Sequence, residues 1–265
     1  MNTILEISNL CIYNKKEEKN LLENINLKIT QGEMLGIIGE SGSGKSILCK
    51  SILDLNPNYF KITGNIFFDE LDILKASPKQ IQQICGKKIS MIMQDSVNAF
   101  NPIEKIKTQF IESLIDKKDL KNAKNDSCFW LEKVGLTDIE KVLNSYPFEL
   151  SGGMLQRVMI ALAFAQDSKI IIADEPTSSL DMINQKEILN IFKNLQEKEK
   201  KTVIFVSHDL GIISHLANNI AVMKKGKIVE YNDTKSILLN PQNEYSKYLI
   251  EAHKKLFNRF NECLK

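Results

Sequence analysis

Short runs of β-branched and other apolar residues, each bounded by polar ones, open the chain. ILEI at 4–7 and INLKI at 25–29 are such runs, and QGEM at 31–34 supplies a glycine turn, a pattern that predicts an antiparallel sheet. MLGIIG at 34–39 is different. It is apolar without alternation, as a strand covered on both faces must be. It runs directly into a glycine-rich loop, after which SILCKSILDL carries apolar residues at helical spacing and GNIFFDELDI reads as a returning strand with a turn. From about 98 to 167, Lys, Glu, Leu and Ile recur at a helical period without a convincing strand, which predicts a helical subdomain inserted into an α/β core. Strand signals resume at KIIIAD (169–174), TVIFVSH (202–208), IAVMKKG (220–226) and KIVEY (227–231), and the chain shows no internal repeat.

Composition narrows the classes. With 265 residues, 43% of them hydrophobic, the chain can build one large α/β domain or a domain with a substantial subdomain. A net charge of +2 with scattered basic residues offers no electrostatic footprint for nucleic acid, and no such partner is expected. Cys11, Cys49, Cys85, Cys128 and Cys263 are far apart and form no C-x-x-C pair, against a disulfide framework or a zinc site and in keeping with reduced cytoplasmic thiols. No stretch approaches the roughly 18–20 apolar residues of a membrane-spanning helix, and MNTILEISNL lacks the basic-then-apolar order of a signal peptide. The expectation is a soluble chain that leaves any membrane crossing to another protein.

Gly39-Glu40-Ser41-Gly42-Ser43-Gly44-Lys45-Ser46 satisfies G-x-x-x-x-G-K-[ST] between a buried strand and a helix, the context that identifies a phosphate loop. Its glycines let successive N–H groups converge on phosphates at a helix N-terminus. Lys45 is expected on the β- and γ-phosphates of ATP and the Ser46 hydroxyl on Mg²⁺. IIIADEP at 170–176 ends a buried strand in two carboxylates. Asp174 suits the Mg²⁺ shell through water and Glu175 suits polarisation of an attacking water; as isolated residues they could equally cap a following helix. His208 ends VIFVSHD, where an imidazole could meet the γ-phosphate while Asp209 acts only as a helix cap. Gln94, in MIMQDS, also follows an apolar run and could ligate Mg²⁺ or the water.

In this order, the phosphate loop, Gln94, LSGGMLQR at 150–157, IIIADEP, SSLD at 178–181 and His208 resemble the ATP-binding cassette (ABC) ATPases over nearly the whole chain. The resemblance implies a P-loop NTPase (RecA-like) core with an N-terminal antiparallel β subdomain and an inserted α-helical subdomain at about 98–167. The ATPase domain would span 1–240, with a short helical tail over 241–265. In that family two subunits close head to tail around two ATP molecules. Ser151, Gly152 and Gly153 would then contact the partner's γ-phosphate, and Asp181 would lie at the seam. Met154 stands where the family pattern has glutamine. Tyr13 resembles the aromatic that stacks on adenine, though its position also suits an edge-strand aromatic.

GESGSGKS, IMQDSVNAFNP and SGGM followed by QR resemble the oligopeptide, dipeptide and nickel importer ATPases. NPQNEYSKYLIEAH at 240–253 is similar to a worn P-x-H-P-Y-T tail, with Asn243 and Glu244 in place of His-Pro, and only Cys263 follows where peptide-importer members have a cysteine-rich extension. That difference leans toward nickel- or metallophore-type members. The resemblance implies an importer ATPase, peripheral on the cytoplasmic face of the cell membrane. Its partners would be permease subunits docking near the Gln94 loop, a second ABC ATPase subunit, like or unlike, and indirectly an extracytoplasmic solute-binding protein. The alternative is a non-transport cassette of the DNA-repair or translation type.

Overall fold

In a computed structural model the chain is described over residues 2–115, 120–178 and 180–263, with side chains described over 2–114, 121–178, 180–182 and 184–253. It divides into two compact units, Met1–Ile81 with Ile204–Lys265, and Gln82–Val203.

The first unit opens with β1 (Thr3–Asn14) and β2 (Lys19–Thr30), paired antiparallel with Leu5 opposite Ile29, Ile7 opposite Leu27 and Leu10 opposite Ile25. These strands are much longer than the apolar runs that predict them. The pairing register shifts between Ile7 and Leu10, where Asn9 has φ of 50°, and again between Leu10 and Ile12, opposite Asn24, whose φ is also 50°. Each irregularity breaks the period of two while the ladder continues, so strict alternation conceals most of the strand. After β3 (Met34–Ile38) and α1 (Lys45–Ile52), β4 (Phe60–Phe68) pairs with the other side of β1, and β5 (Leu71–Asp72) follows a turn at 69–70. The sheet order is β2-β1-β4-β5. α2 (Pro78–Ile84) then leads out of the unit.

The second unit begins with β6 (Ile89–Ile92), continues through α3 (Ile106–Ile115), α4 (Leu120–Lys133), α5 (Ile139–Asn144) and α6 (Gly152–Ala165), and reaches β7 (Ile170–Asp174), which lies parallel to β6. α7 (Met182–Glu199) follows. Three rings knit the helices: Trp130 of α4 faces Phe164 of α6 at 6.3 Å between centroids, and Phe164 meets Phe192 of α7 edge-on at 5.4 Å. Such pairs add about 0.5–1.5 kcal/mol beyond the area they bury.

The chain returns to the first unit through β8 (Thr202–Ser207), α8 (Leu210–Leu216), β9 (Asn219–Lys224), β10 (Lys227–Asp233), α9 (Thr234–Leu239) and α10 (Glu244–Cys263). β3 has β8 on one side and β9 on the other, and β10 closes that edge. All five residues of β3 are buried, as its unbroken apolar run requires. The tail is fixed where it leaves β10: the Glu230 carboxylate accepts from the N–H groups of Gln242 (2.8 Å) and Asn243 (3.1 Å). Burial opposes the Glu230 charge, but these backbone donors help hold its carboxyl below the usual range. This support is present above the unfolded carboxyl's pKa and fades as pH falls through the depressed value.

α8 covers β3 so closely that a methyl group on Gly36 would overlap Cγ2 of Ile213 and stand 3.0 Å from the Ala217 methyl. Gly36→Ala is therefore expected to lose about 1–3 kcal/mol by overpacking, read by urea denaturation. Ile213→Ala in the same chain should recover part of that loss by opening the space.

Candidate active site

In the first unit, β3 delivers the chain into the phosphate loop against β9. The space that a Cβ on Gly39 would need is taken by the Met223 carbonyl oxygen, while Gly42 (φ 79°) has open space around its Cβ position among the described residues. Gly44 (φ 104°) is the N-cap of α1. No side chain caps that start, so the positive end of the helix faces the loop, an arrangement that favours an anion. The loop is held from outside by Gly226, whose N–H donates to the Ser43 carbonyl at 2.9 Å. Lys45 is only 5% exposed, and its Nζ donates to the carbonyls of Gly39 (2.8 Å) and Glu40 (3.0 Å). Ser46 is half-buried in the first turn of α1, and Glu40 and Ser41 are exposed.

Two further predicted residues lie in this unit. His208 is exposed immediately after β8, and the Asp209 carboxylate caps α8 by accepting from the N–H groups of Gly211 (2.7 Å) and Ile212 (3.4 Å). Tyr13 is half-buried on β1 between Asn20 of β2 and Lys61 of β4. β1 is an interior strand of its sheet, so the edge-strand reading of Tyr13 does not apply.

In the second unit Asp174 is buried at the end of β7, 6% exposed. Glu175 has φ 47°, a left-handed conformation that costs a residue with a Cβ on the order of 1–2 kcal/mol. The turn is closed by Ser178, whose N–H and hydroxyl both donate to the Glu175 carbonyl, at 3.2 and 3.1 Å. α7 starts only at Met182 and is capped by Asp181, which accepts from the Asn184 N–H at 3.0 Å. The helix-cap reading of Asp174 and Glu175 therefore fails. Gln94 is exposed just past β6. Beside it Asp95 accepts from the N–H groups of Val97 and Asn98 at 3.1 Å each and shapes the loop; the Asn98 donors hold its carboxyl below the usual range.

Ser151 is the N-cap of α6, its hydroxyl accepting from the Met154 N–H at 3.3 Å. Around Gly152 a Cβ would meet nothing within 4 Å, and around Gly153 only Leu180 at 4.0 Å, among the described residues. The start of α6 thus offers uncovered N–H groups, a second anion-accepting terminus. Sequence reasoning missed the cap, although serine before a helix is its usual signal, and missed Arg157. That guanidinium ties α6 to the Val134 carbonyl at 2.8 Å and to Glu187 of α7 at 2.6 Å. Of the SSLD stretch, Ser179 lies outside the described residues, as does the side chain of Cys263.

The sequence pattern of the ABC transporter family matches residues 22–178, more than half of the chain. The metal-staphylopine import system ATP-binding protein CntD of Staphylococcus aureus (strain NCTC 8325 / PS 47) is 39% identical over 265 residues, covering 99% of this chain and 98% of that protein. The oligopeptide transport ATP-binding protein OppD of Bacillus subtilis is 40% identical, over 94% of this chain and 71% of that protein. Among solved structures, the dimeric post-hydrolysis state of the ATP-binding cassette MJ0796 bound to ADP and Pi aligns with a TM-score of 0.77 at 29% identity, over 87% of this chain and 98% of that one. Structure cbiO1 from Clostridium perfringens, described as part of the transporter complex cbiONQ, aligns at 0.78 and 26% identity, over 91% and 92%. The fold is thus the α/β fold of a P-loop ATPase cassette, as the sequence led one to expect.

The cap makes a separable prediction. Ser151→Ala should lower stability in thermal denaturation by about 0.5–1 kcal/mol, the low end for a lost cap because the site is exposed, whereas Ser151→Asp, an equally good cap, should keep it.

Proposed function

The chain belongs to the ABC transporter family, and we propose that it is the ATPase subunit of an importer, coupling ATP binding and hydrolysis to uptake of a metal chelate or a peptide through a separate membrane permease. The observation that carries the nucleotide reading is inside the phosphate loop. The Ser43 hydroxyl is buried without a hydrogen-bond partner among the described residues, beside a buried Lys45 and an uncapped helix start. A buried hydroxyl left unsatisfied costs about 1–3 kcal/mol, and a phosphate oxygen in the loop would relieve it.

Lys45 keeps the Gly39 carbonyl as the partner that seats it and turns its remaining N–H donors to the β- and γ-phosphates, and the loop amides hold the phosphate chain. Tyr13 stacks on the adenine. The Ser46 hydroxyl, the Gln94 side-chain carbonyl and Asp174 acting through water are hard oxygen donors of the kind Mg²⁺ takes; bound there, the ion would neutralise charge on the phosphates. Glu175 orients and deprotonates the attacking water, and His208 hydrogen-bonds the γ-phosphate. Ser151, Gly152 and Gly153 act on the nucleotide of a second ATPase subunit, like or unlike, and Asp181 couples the two sites. This dimeric reading is supported by the dimeric cassette structure among the neighbours.

Among the described residues no helix is long and apolar enough to cross a membrane. We place the chain on the cytoplasmic face, bound to permease subunits, with a solute-binding protein acting on the far side. The cargo classes come from the names of CntD and OppD. Both are named as ATP-binding proteins of transport or import systems, which supports transport over a DNA-repair or translation role.

Glu175→Gln should retain ATP, slow phosphate release by about 10²-fold or more, and accumulate a closed dimer on gel filtration with Mg-ATP; turnover near wild type would remove Glu175 from its role. Lys45→Ala should instead weaken ATP binding to the monomer. Ser151→Arg should leave monomer ATP binding nearly intact while abolishing ATP-dependent dimerisation and turnover. A monomer of that variant unable to bind ATP would show that the second loop serves its own chain.

A further inference from the structure

Glu40, the second residue of the phosphate loop, is touched by the tail. Its backbone N–H donates to the Tyr245 hydroxyl at 3.2 Å. That N–H belongs to the peptide group whose carbonyl is Gly39's, the acceptor of the Lys45 Nζ at 2.8 Å. One peptide plane is thus held on both edges, by the lysine inside the loop and by the tyrosine outside it. A trans peptide directs its N–H and its carbonyl to opposite sides, so fixing one fixes the other.

Tyr245 is itself tightly placed. It is 5% exposed, its N–H donates to the Asn243 side chain at 2.9 Å, and the two residues before Glu244 are held by Glu230. Lys224, at the end of the strand whose Met223 carbonyl abuts Gly39, lays its Nζ 4.3 Å from the Tyr245 ring centroid. Burial pushes the phenol pKa up, the Glu40 N–H opposes that and the Glu40 charge adds to the rise. Further along α10, the His253 ring lies 3.0 Å from where a Cβ on Gly211, in the first turn of α8, would stand. Glu40, Lys224, Glu244, Tyr245 and Tyr248 line a pocket of about 370 Å³ at this junction.

We propose that Tyr245 is a positioning residue for the phosphate loop: it holds the Gly39–Glu40 peptide in the orientation that seats Lys45, so that α10 sets the affinity for ATP. The inference rests on the nucleotide reading of the loop. It follows from preorganisation, because a peptide plane already fixed does not have to be ordered when the nucleotide binds. Tyr245 touches no reacting atom and is expected to act on binding rather than on the chemical step.

The test is ATP and ADP affinity, with KM and kcat for ATP, in the full chain carrying Tyr245→Phe, which keeps the ring and removes the hydroxyl. Tyr248→Phe, the same chemical change at a residue 62% exposed, is the matched control. The expected result is a rise in Kd and KM of about three- to tenfold, the scale of one buried hydrogen bond, with kcat within about twofold and Tyr248→Phe like wild type. A lower melting temperature with unchanged Kd would make Tyr245 merely structural and overturn the proposal, as would an equal rise in Tyr248→Phe. Should Tyr245→Phe lose solubility, Glu230→Ala, which frees the start of the tail, must raise Kd in the same direction or the proposal fails. A wild-type chain that binds no ATP would overturn the nucleotide reading itself; a wild-type chain that binds ATP as tightly as Tyr245→Phe does would overturn only the role of the tyrosine.

Discussion

The Met223 carbonyl occupies the place where a side chain at position 39 would have to be, and the phosphate loop depends on that close approach. β3 and β9 run parallel with Ile38 opposite Val222, so the end of β3 is pressed against the neighbouring backbone at the point where the chain turns. Only glycine lets the two backbones come that near. Once they do, Gly226 can reach the Ser43 carbonyl from the hairpin after β9, and the two carbonyls that receive Lys45 come to lie side by side. The loop's shape is therefore set by the strands around it together with the glycine that lets them close in.

The second unit manages a different constraint. Asp174 and Glu175 end a buried strand, and the cap of the helix that follows is Asp181 rather than either of them. The chain takes Glu175 into a left-handed conformation and ties its carbonyl to Ser178, which delays the helix and leaves Asp181 to cap it. The local backbone cost is borne by a strand with no exposed residue. Strain of this kind persists where the surrounding structure over-determines it.

Much of this was legible in advance, for physical reasons that differ from element to element. MLGIIG, KIIIAD and VIFVS are unbroken apolar runs, and the structure shows buried strands at each. The phosphate loop is a local motif, so its residues and its neighbours in sequence are one and the same. The long β1 and β2 were half-hidden because bulges at Asn9 and Asn24 reset the alternation. Glu175's conformation and Arg157's two tethers left no local signal, since a backbone angle at a non-glycine residue and a guanidinium's partners are set by tertiary packing. Tyr245 was the least legible: its partner Glu40 lies 205 positions away, and the resemblance of the tail to a known pattern names the tyrosine without saying what it touches.

The hydrogen bond from Glu40 to Tyr245 also runs in the other direction. Coupling free energies are reciprocal: if docking of α10 strengthens ATP binding by some factor, ATP strengthens docking of α10 by the same factor. The helix is then a reporter as well as a support, pressed more firmly onto the first unit while nucleotide is held and released toward its undocked equilibrium when the loop empties. A protein that grasps α10 in its undocked position would, by that symmetry, act as a nucleotide-release factor without approaching the phosphates.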